Sequence, residues 1–306
     1  MVLIVILYAL WAASISSSKV LLTYTSPIFL TGIRMFISGI ILLAYQYFYA
    51  REQFTFKREH IKLYAQIIVF GILISYFLRF WALEYISASK LMFLYNLAPF
   101  ISAIYSYFAF SEIITRMQWV GMSVGFLGLI PILMTSSAQE SSLGEFFFMS
   151  WQELAVILSV ATNSYSWIVM RKLVRDNNYS PMMINGICMF TGGVIALGIS
   201  FIVEKIEHVY PMTMDQILPF FGLLGFIIVI SNIVSHNLYA YLLRTYTATF
   251  LSFAGFLGPL FAAIYGWLFF KETITWHFYV ASVIVFIGLY LFYKDELRSS
   301  DSLIEQ

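Results

Sequence analysis

The chain divides into ten apolar runs, each long enough to cross a bilayer as a helix, and nothing else constrains its fold as much. A transmembrane helix needs roughly 20 mostly apolar residues, whereas membrane-spanning strands would show short alternating segments. The runs fall at 2–22, 26–49, 63–83, 87–110, 117–136, 152–170, 181–203, 217–242, 246–270 and 276–293. The longest polar stretches between them are 51–62, 137–151 and 204–216, too short for an inserted soluble domain. Composition agrees. Of 306 residues, 61% are hydrophobic and 11% charged, against roughly 45–50% and about 25% in soluble domains. One cysteine rules out a disulfide scaffold, and a net charge of +1 gives no reason to expect nucleic acid. The expected fold class is all-α integral membrane, with ten transmembrane helices.

The first run could be mistaken for a signal peptide, because Ala13 to Ser18 mimics a cleavage site. No basic region precedes it and the run is long, so a retained helix is expected. Basic residues set the orientation. With the N-terminus inside, the inner loops hold Arg51, Lys57, Arg58, Lys62, Arg116, Arg171, Lys172, Arg175, Arg244, Lys294 and Arg298, and the outer loops only Lys205 and Lys271. Both termini are therefore expected in the cytoplasm, with 294–306 as a cytoplasmic tail.

The chain also contains itself twice. At an offset of 160, Pro99 meets Pro259 and Ala103-Ile104-Tyr105 meets Ala263-Ile264-Tyr265. Phe110, Glu112, Ile114 and Thr115 then meet Phe270, Glu272, Ile274 and Thr275. Val120, Phe126 and Gly128-Leu129 meet Val280, Phe286 and Gly288-Leu289. Ser26-Pro27 matches Ser180-Pro181 at a slightly different offset. The repeats are placed at 1–136 and 152–293, five spans each. An odd number of spans forces matching helices to cross the membrane in opposite senses. This inverted repeat is the layout of many secondary transporters, with a substrate site near the midplane. Duplication for packing alone is the competing reading.

At these residues a family resemblance appears. Trp11-Ala12-Ala13-Ser14 followed by Lys19, Ile33-Arg34-Met35-Phe36, and Trp81 to Ser89 resemble helix motifs of the drug/metabolite transporter superfamily, EamA branch. Pro99 to Thr115 and Pro259 to Thr275 resemble the segments closing its fourth and ninth helices. Two positions depart from the pattern: Cys188 stands where the repeat of Arg34 would fall, and Ala12 replaces the usual glycine. The resemblance implies ten helices and transport of a small organic solute. It does not name the solute, because the family carries amino acids, sugar phosphates, nucleotide-linked compounds, S-adenosylmethionine and drugs.

Few groups inside the spans could carry chemistry. A charge at the bilayer centre costs about 2.5–3.5 kcal/mol on insertion scales, so each intramembrane ion needs a partner or a task. Lys19, Arg34, Arg79 and Lys90 lie toward the outer halves of their spans. Lys19 and Arg34 read as snorkelling or helix-tying residues. Arg79 and Lys90 flank one short connection, face each other, and read as a vestibule for a carboxylate or phosphate. None of the 16 carboxylates falls in mid-span. Proton-driven carriers usually keep one there, so exchange of one metabolite for another is the expected mode, with proton-coupled export as the alternative. His236, the one mid-span group that titrates near neutrality, is read as a core or substrate contact or a proton relay.

Neutral polar residues mark a cavity wall: Ser14, Ser16 and Ser17, Tyr95 and Asn96, Asn163 and Tyr165, Asn185, Asn232 and His236. Interhelical hydrogen bonds are the alternative use for each. Asn96 lies just before Pro99, which frees a carbonyl on the preceding turn. Gly255, Gly258 and Pro259 occupy the matching region and suggest a hinge with Pro99. Trp11, Tyr76, Trp81, Tyr95, Tyr165 and Trp167 are placed either to stack on a flat or cationic ligand or to pack. Gly121, Gly125 and Gly192-Gly193 read as close helix contacts. Glu112 and Glu272 read as turn caps, and Thr115 and Thr275 as N-caps.

No phosphate-binding Gly-x-x-x-x-Gly-Lys loop, metal-ligand spacing or hydrolase motif occurs. With only Asp176, Asp215, Asp295 and Asp301 as aspartates, an intramembrane lipid-modifying enzyme is disfavoured, as is a channel without a filter-like run. The sequence therefore describes a secondary transporter, expected in a bacterial inner membrane, that works by alternating access as a monomer or homodimer in lipid. Its expected cargo is a zwitterionic or partly anionic metabolite, an amino acid or an S-adenosylmethionine-like compound. The expected binding residues are Lys90, Arg79, Tyr95, Asn96, Trp11, Asn163, Tyr165, Asn232 and His236. No cofactor, metal or catalytic residue is expected.

Overall fold

A computed structural model describes residues 2–53, 57–86, 88–134, 145–146, 149–204, 213–270 and 276–304. Lys205, Lys271, Glu272 and Thr275 lie outside the described residues. Ten long helices follow one another: α1 (Val2–Leu21), α2 (Pro27–Tyr49), α3 (Ile61–Gln66, Ile67–Ile74 and Ser75–Tyr85), α4 (Ala88–Tyr95 and Ala98–Phe110) and α5 (Arg116–Met134). The second half repeats them: α6 (Trp151–Arg171), α7 (Pro181–Val203), α8 (Met214–Ile227, Ile228–Ser235 and His236–Leu242), α9 (Ala248–Ala254 and Leu257–Phe270) and α10 (Trp276–Ile304). Among the described residues, α1 to α4 and α6 to α9 are long and apolar enough by themselves to cross a membrane. A short pairing of Glu145–Phe146 with Met149–Ser150 precedes α6.

The repeat governs the packing. α2 lies along α7, and α5 along α10. α3 packs on α6 as α8 packs on α1, and α4 packs on α6 as α9 packs on α1. α4 and α9 meet each other. The 160-residue register extends upstream, because Leu63, Ile67-Ile68-Val69 and Ser75 match Leu223, Ile227-Ile228-Val229 and Ser235. Both helices carrying these residues widen to π-helix at the same place, Ile67–Ile74 and Ile228–Ser235. Such bulges loosen the backbone ladder and cluster at functional sites.

α4 and α9 break alike. Asn96 N–H donates to Phe93 O at 2.9 Å, and Phe256 N–H donates to Phe253 O at 3.0 Å, both tightened i to i−3 bonds. The cause is Pro99 and Pro259, which have no N–H and whose rings exclude the carbonyl four residues back. The α2–α7 contact shows why glycine is needed there. A Cβ on Gly39 would sit 2.3 Å from the backbone N of Phe190, and one on Gly193 would sit 2.4 Å from that of Phe36. Each glycine thus presses on the other helix's backbone, at equivalent positions. The rings of Phe36 and Phe190 stack beside them, centroids 5.6 Å apart.

Helix ends are satisfied across the repeat. Glu204, at the end of α7, accepts Ile28 N–H at 2.8 Å, Phe29 N–H at 2.9 Å and Ser26 Oγ at 2.7 Å. It so caps the positive end of α2. Thr115 caps α5, accepting Gln118 N–H at 3.1 Å. Glu112 departs from the turn-capping expectation. It makes a bidentate ion pair with Arg171 of α6, at 2.8 and 2.7 Å, because the end of α4 lies against α6 and brings the buried guanidinium within reach.

Candidate functional site

A cavity lies between the two repeats, with walls from α1, α3, α4, α6, α8 and α9 and one residue, Arg34, from α2. It encloses about 1010 Å³ between atoms, counting its open mouth. Its lining reaches from Tyr8 to Ser18 on α1, Tyr76 to Leu83 on α3 and Met92 to Ala98 on α4. These positions lead toward the bundle end opposite the chain termini. The terminal side is closed by contacts between repeats: Tyr8 Oη–H to Leu251 O, Ser102 Oγ to Ser252 Oγ at 3.0 Å, and the Glu112–Arg171 pair.

Aromatic rings make the cavity floor. Trp11 lies 5.3 Å from Tyr239 and 6.3 Å from Trp167, and Trp167 lies 4.3 Å from Tyr239, centroid to centroid. His236 touches both tryptophans, at 5.7 Å each. His236 Nδ1 sits 2.7 Å from Ser231 O, so Nδ1 carries the proton and Nε2 accepts. Tyr76 Oη–H fills that acceptor at 2.8 Å. Beneath this bond lies a smaller chamber walled by Tyr76, Asn163, Trp167 and His236, shared with the main cavity, and by Gly71, Ser166, Asn185 and Cys188.

Two arginines face the cavity and no Asp or Glu does among the described residues. They are held differently. Arg34 is 2% exposed. It donates from Nε to Asn232 Oδ1 at 3.2 Å, from Nη2 to Ser231 Oγ at 3.0 Å and from Nη1 to Ser18 Oγ at 3.4 Å. Arg79 lays its guanidinium 3.9 Å from the Tyr76 ring centroid, with Tyr95 at 5.4 Å, and its buried Nε has no hydrogen-bond partner.

The structure brings most of the expected site residues together. Arg79, Tyr95, Asn96, Trp11, Asn163 and His236 line the cavity, as do Gly255, Gly258 and Pro259. Four do not line it. Lys90 lies 3.0 Å from Glu153 Oε1 at the start of α6, outside the cavity lining. Tyr165 packs on Phe70 and Tyr105. Asn232 stands behind Arg34 and orients it, and Pro99 is buried beside the α4 break. Lys19 binds Ile86 O at the end of α3 instead of reaching for headgroups. Asn185 pairs with Asn237 at 3.0 Å, an interhelical bond.

The lining also includes Tyr8, Ser231, Tyr239 and Ser252, which sequence reasoning did not single out. A signal existed. At the 160-residue offset, Arg79 points to Tyr239, Met92 to Ser252 and Tyr95 to Gly255, and all six line the cavity.

Inverted five-helix repeats around a shared central cavity define an integral membrane transporter of small molecules. The EamA-like transporter family matches residues 1–134 and 150–294, and the chain belongs to it. It is 31% identical over 94% of its length, and 90% of the relative's, to a Chlamydia muridarum S-adenosylmethionine/S-adenosylhomocysteine transporter. A Chlamydia trachomatis serovar L2 protein of the same description is 30% identical over 94% of this chain and 87% of its own. A crystal structure of a protein only 14% identical superposes with a TM-score of 0.71, over 97% of this chain and 96% of that one, which shows a common fold.

Proposed function

We propose that this transporter carries S-adenosylmethionine or S-adenosylhomocysteine across the cytoplasmic membrane, exchanging one for the other. The observation that carries the reading is the lining of the cavity. Trp11, Trp167, Tyr239 and Tyr95 offer flat faces for a purine and for a sulfonium cation, while the arginines offer charge to an amino-acid carboxylate. The resemblance to the two chlamydial proteins points to the same cargo.

The two arms are the repeats at 1–136 and 152–293. With the basic loops facing the cytoplasm, both termini and the stretch 294–306 lie inside and the cavity faces out. The Glu112–Arg171 and Tyr8–Leu251 contacts then form the closed inner gate. Trp11, Arg79, Tyr95, Asn96, Asn163 and His236 bind the cargo, and the breaks at Pro99 and at Gly255, Gly258 and Pro259 absorb the rocking of one arm on the other. Exchange is favoured over proton coupling because no carboxylate faces the cavity among the described residues.

The test is counterflow. Proteoliposomes preloaded with unlabelled S-adenosylhomocysteine should take up labelled S-adenosylmethionine many times faster than empty ones, and a protonophore should not slow the uptake. Equal uptake by empty vesicles, or collapse on adding the protonophore, rejects exchange. No uptake of either compound rejects the cargo.

A further inference from the structure

We infer that Arg79 and Asn96 form a single anion clamp that reads a carboxylate on the cargo, so that this group, more than the purine, decides what is carried. The inference builds on the proposed function and narrows it to the part of the ligand that is recognised.

Two buried donors in the cavity wall lack an acceptor. Arg79 Nε is one and Asn96 Nδ2, on a side chain 2% exposed, is the other. A buried donor left unpaired is costly, and a buried cation without a counter-ion more so. Among the described residues no carboxylate lies within ion-pair distance of Arg79. Arg34 already spends four of its five N–H donors on Asn232, Ser231 and Ser18, which fix it in the wall. Its charge nevertheless adds to the positive field that Arg79 sits in.

The missing partner must therefore bring acceptor atoms and a negative charge together. A purine nitrogen would satisfy a donor but leave the guanidinium uncompensated, whereas a carboxylate does both. The Tyr76 ring, its centroid 3.9 Å from the guanidinium carbon, holds the head group in the wall, and Nε is left for the ligand. The clamp exists once. At the 160-residue offset Arg79 and Asn96 correspond to Tyr239 and Phe256, neither charged. The pseudo-symmetric cavity therefore accepts cargo in one orientation, carboxylate toward α3 and α4 and flat ring toward Trp11, Trp167 and Tyr239.

The experiment is binding to the purified full chain in detergent by calorimetry, with S-adenosylhomocysteine, methylthioadenosine (no carboxylate) and adenosine monophosphate (a phosphate instead). Methylthioadenosine should bind at least 50-fold more weakly than S-adenosylhomocysteine. Arg79→Gln should erase that difference by weakening only the carboxylate-bearing ligand. Asn96→Asp, which sets a negative charge against the carboxylate, should weaken S-adenosylhomocysteine at least 10-fold and methylthioadenosine less than twofold. Equal wild-type affinity for the first two ligands, equal weakening of both by the variants, or tighter binding of the phosphate overturns the clamp while leaving nucleoside transport standing. If no nucleoside binds, the cargo proposal fails, and methionine is compared with its decarboxylated amine. Preference for methionine lost in Arg79→Gln then upholds the clamp, and any other result, including no binding, overturns it.

Discussion

Tyr76 and His236 occupy the same position in the two repeats, 160 residues apart, and hydrogen-bond to each other at 2.8 Å. The bond joins α3 to α8 immediately above the smaller chamber and below the main cavity. It is thus part of the layer that separates the two spaces. Tyr76→Phe leaves His236 Nε2 buried without a donor, a penalty of about 1–3 kcal/mol. Counterflow should slow or speed by about tenfold, while equilibrium binding of cargo changes less than threefold. A rate within twofold of wild type would show that this layer does not gate.

The inner closure includes one charge pair whose guanidinium is buried. Arg171 is 1% exposed and held by both oxygens of Glu112. Glu112→Gln strands the guanidinium, at a cost of about 3–5 kcal/mol. Lower thermal stability is expected, with most of it regained in the double variant Glu112→Gln, Arg171→Leu. In a Cys188→Ser background, Ser166→Cys should become reactive to a thiol reagent applied from the terminal side only when the pair is broken.

Lys90 should behave as a structural residue. Its Nζ lies 3.0 Å from Glu153 Oε1, away from the cavity lining. Lys90→Met should change cargo affinity less than twofold, and the pair, partly exposed, should be worth about 1 kcal/mol or less. A tenfold loss of affinity in calorimetry would return Lys90 to the site.

Glycine positions should split sharply. Gly39→Ala and Gly193→Ala drive a methyl into the opposing backbone, and purified protein should melt well below wild type. A methyl on Gly198 would meet nothing within 4 Å, so Gly198→Ala should be neutral or stabilising by about 0.5–1 kcal/mol.

Exchange of a sulfonium cation for its neutral thioether moves one positive charge per cycle. A membrane potential contributes about 2.3 kcal/mol per charge per 100 mV, or about fiftyfold in the final gradient. An inside-negative potassium diffusion potential should raise S-adenosylmethionine uptake into S-adenosylhomocysteine-loaded vesicles. Uptake indifferent to the potential would mean that a compensating ion travels with the cargo.

The helices are legible in the sequence because bilayer thickness sets their length, and the repeat because Pro99, Glu112 and their partners recur in register. Which face of a helix looks inward is harder to read. In spans that are apolar all round, polarity marks a residue as unusual without saying where it points. Asn96 and Asn232 illustrate this: one lines the cavity and the other orients Arg34 from behind. Glu112 reads as a cap from its neighbours alone because its true partner, Arg171, lies 59 residues on.

The reciprocal contact of Gly39 with Phe190 and Gly193 with Phe36 has a consequence for how such a protein could arise. Each half supplies the same glycine and the same phenylalanine to the other, so the interface is self-complementary in the way of a two-fold dimer. A single five-helix chain, inserted in the membrane in both orientations, would meet its inverted twin through this surface and through the α5–α10 contact. Fusing the two copies then fixes a stoichiometry and frees each half to diverge, as Arg79 has from Tyr239.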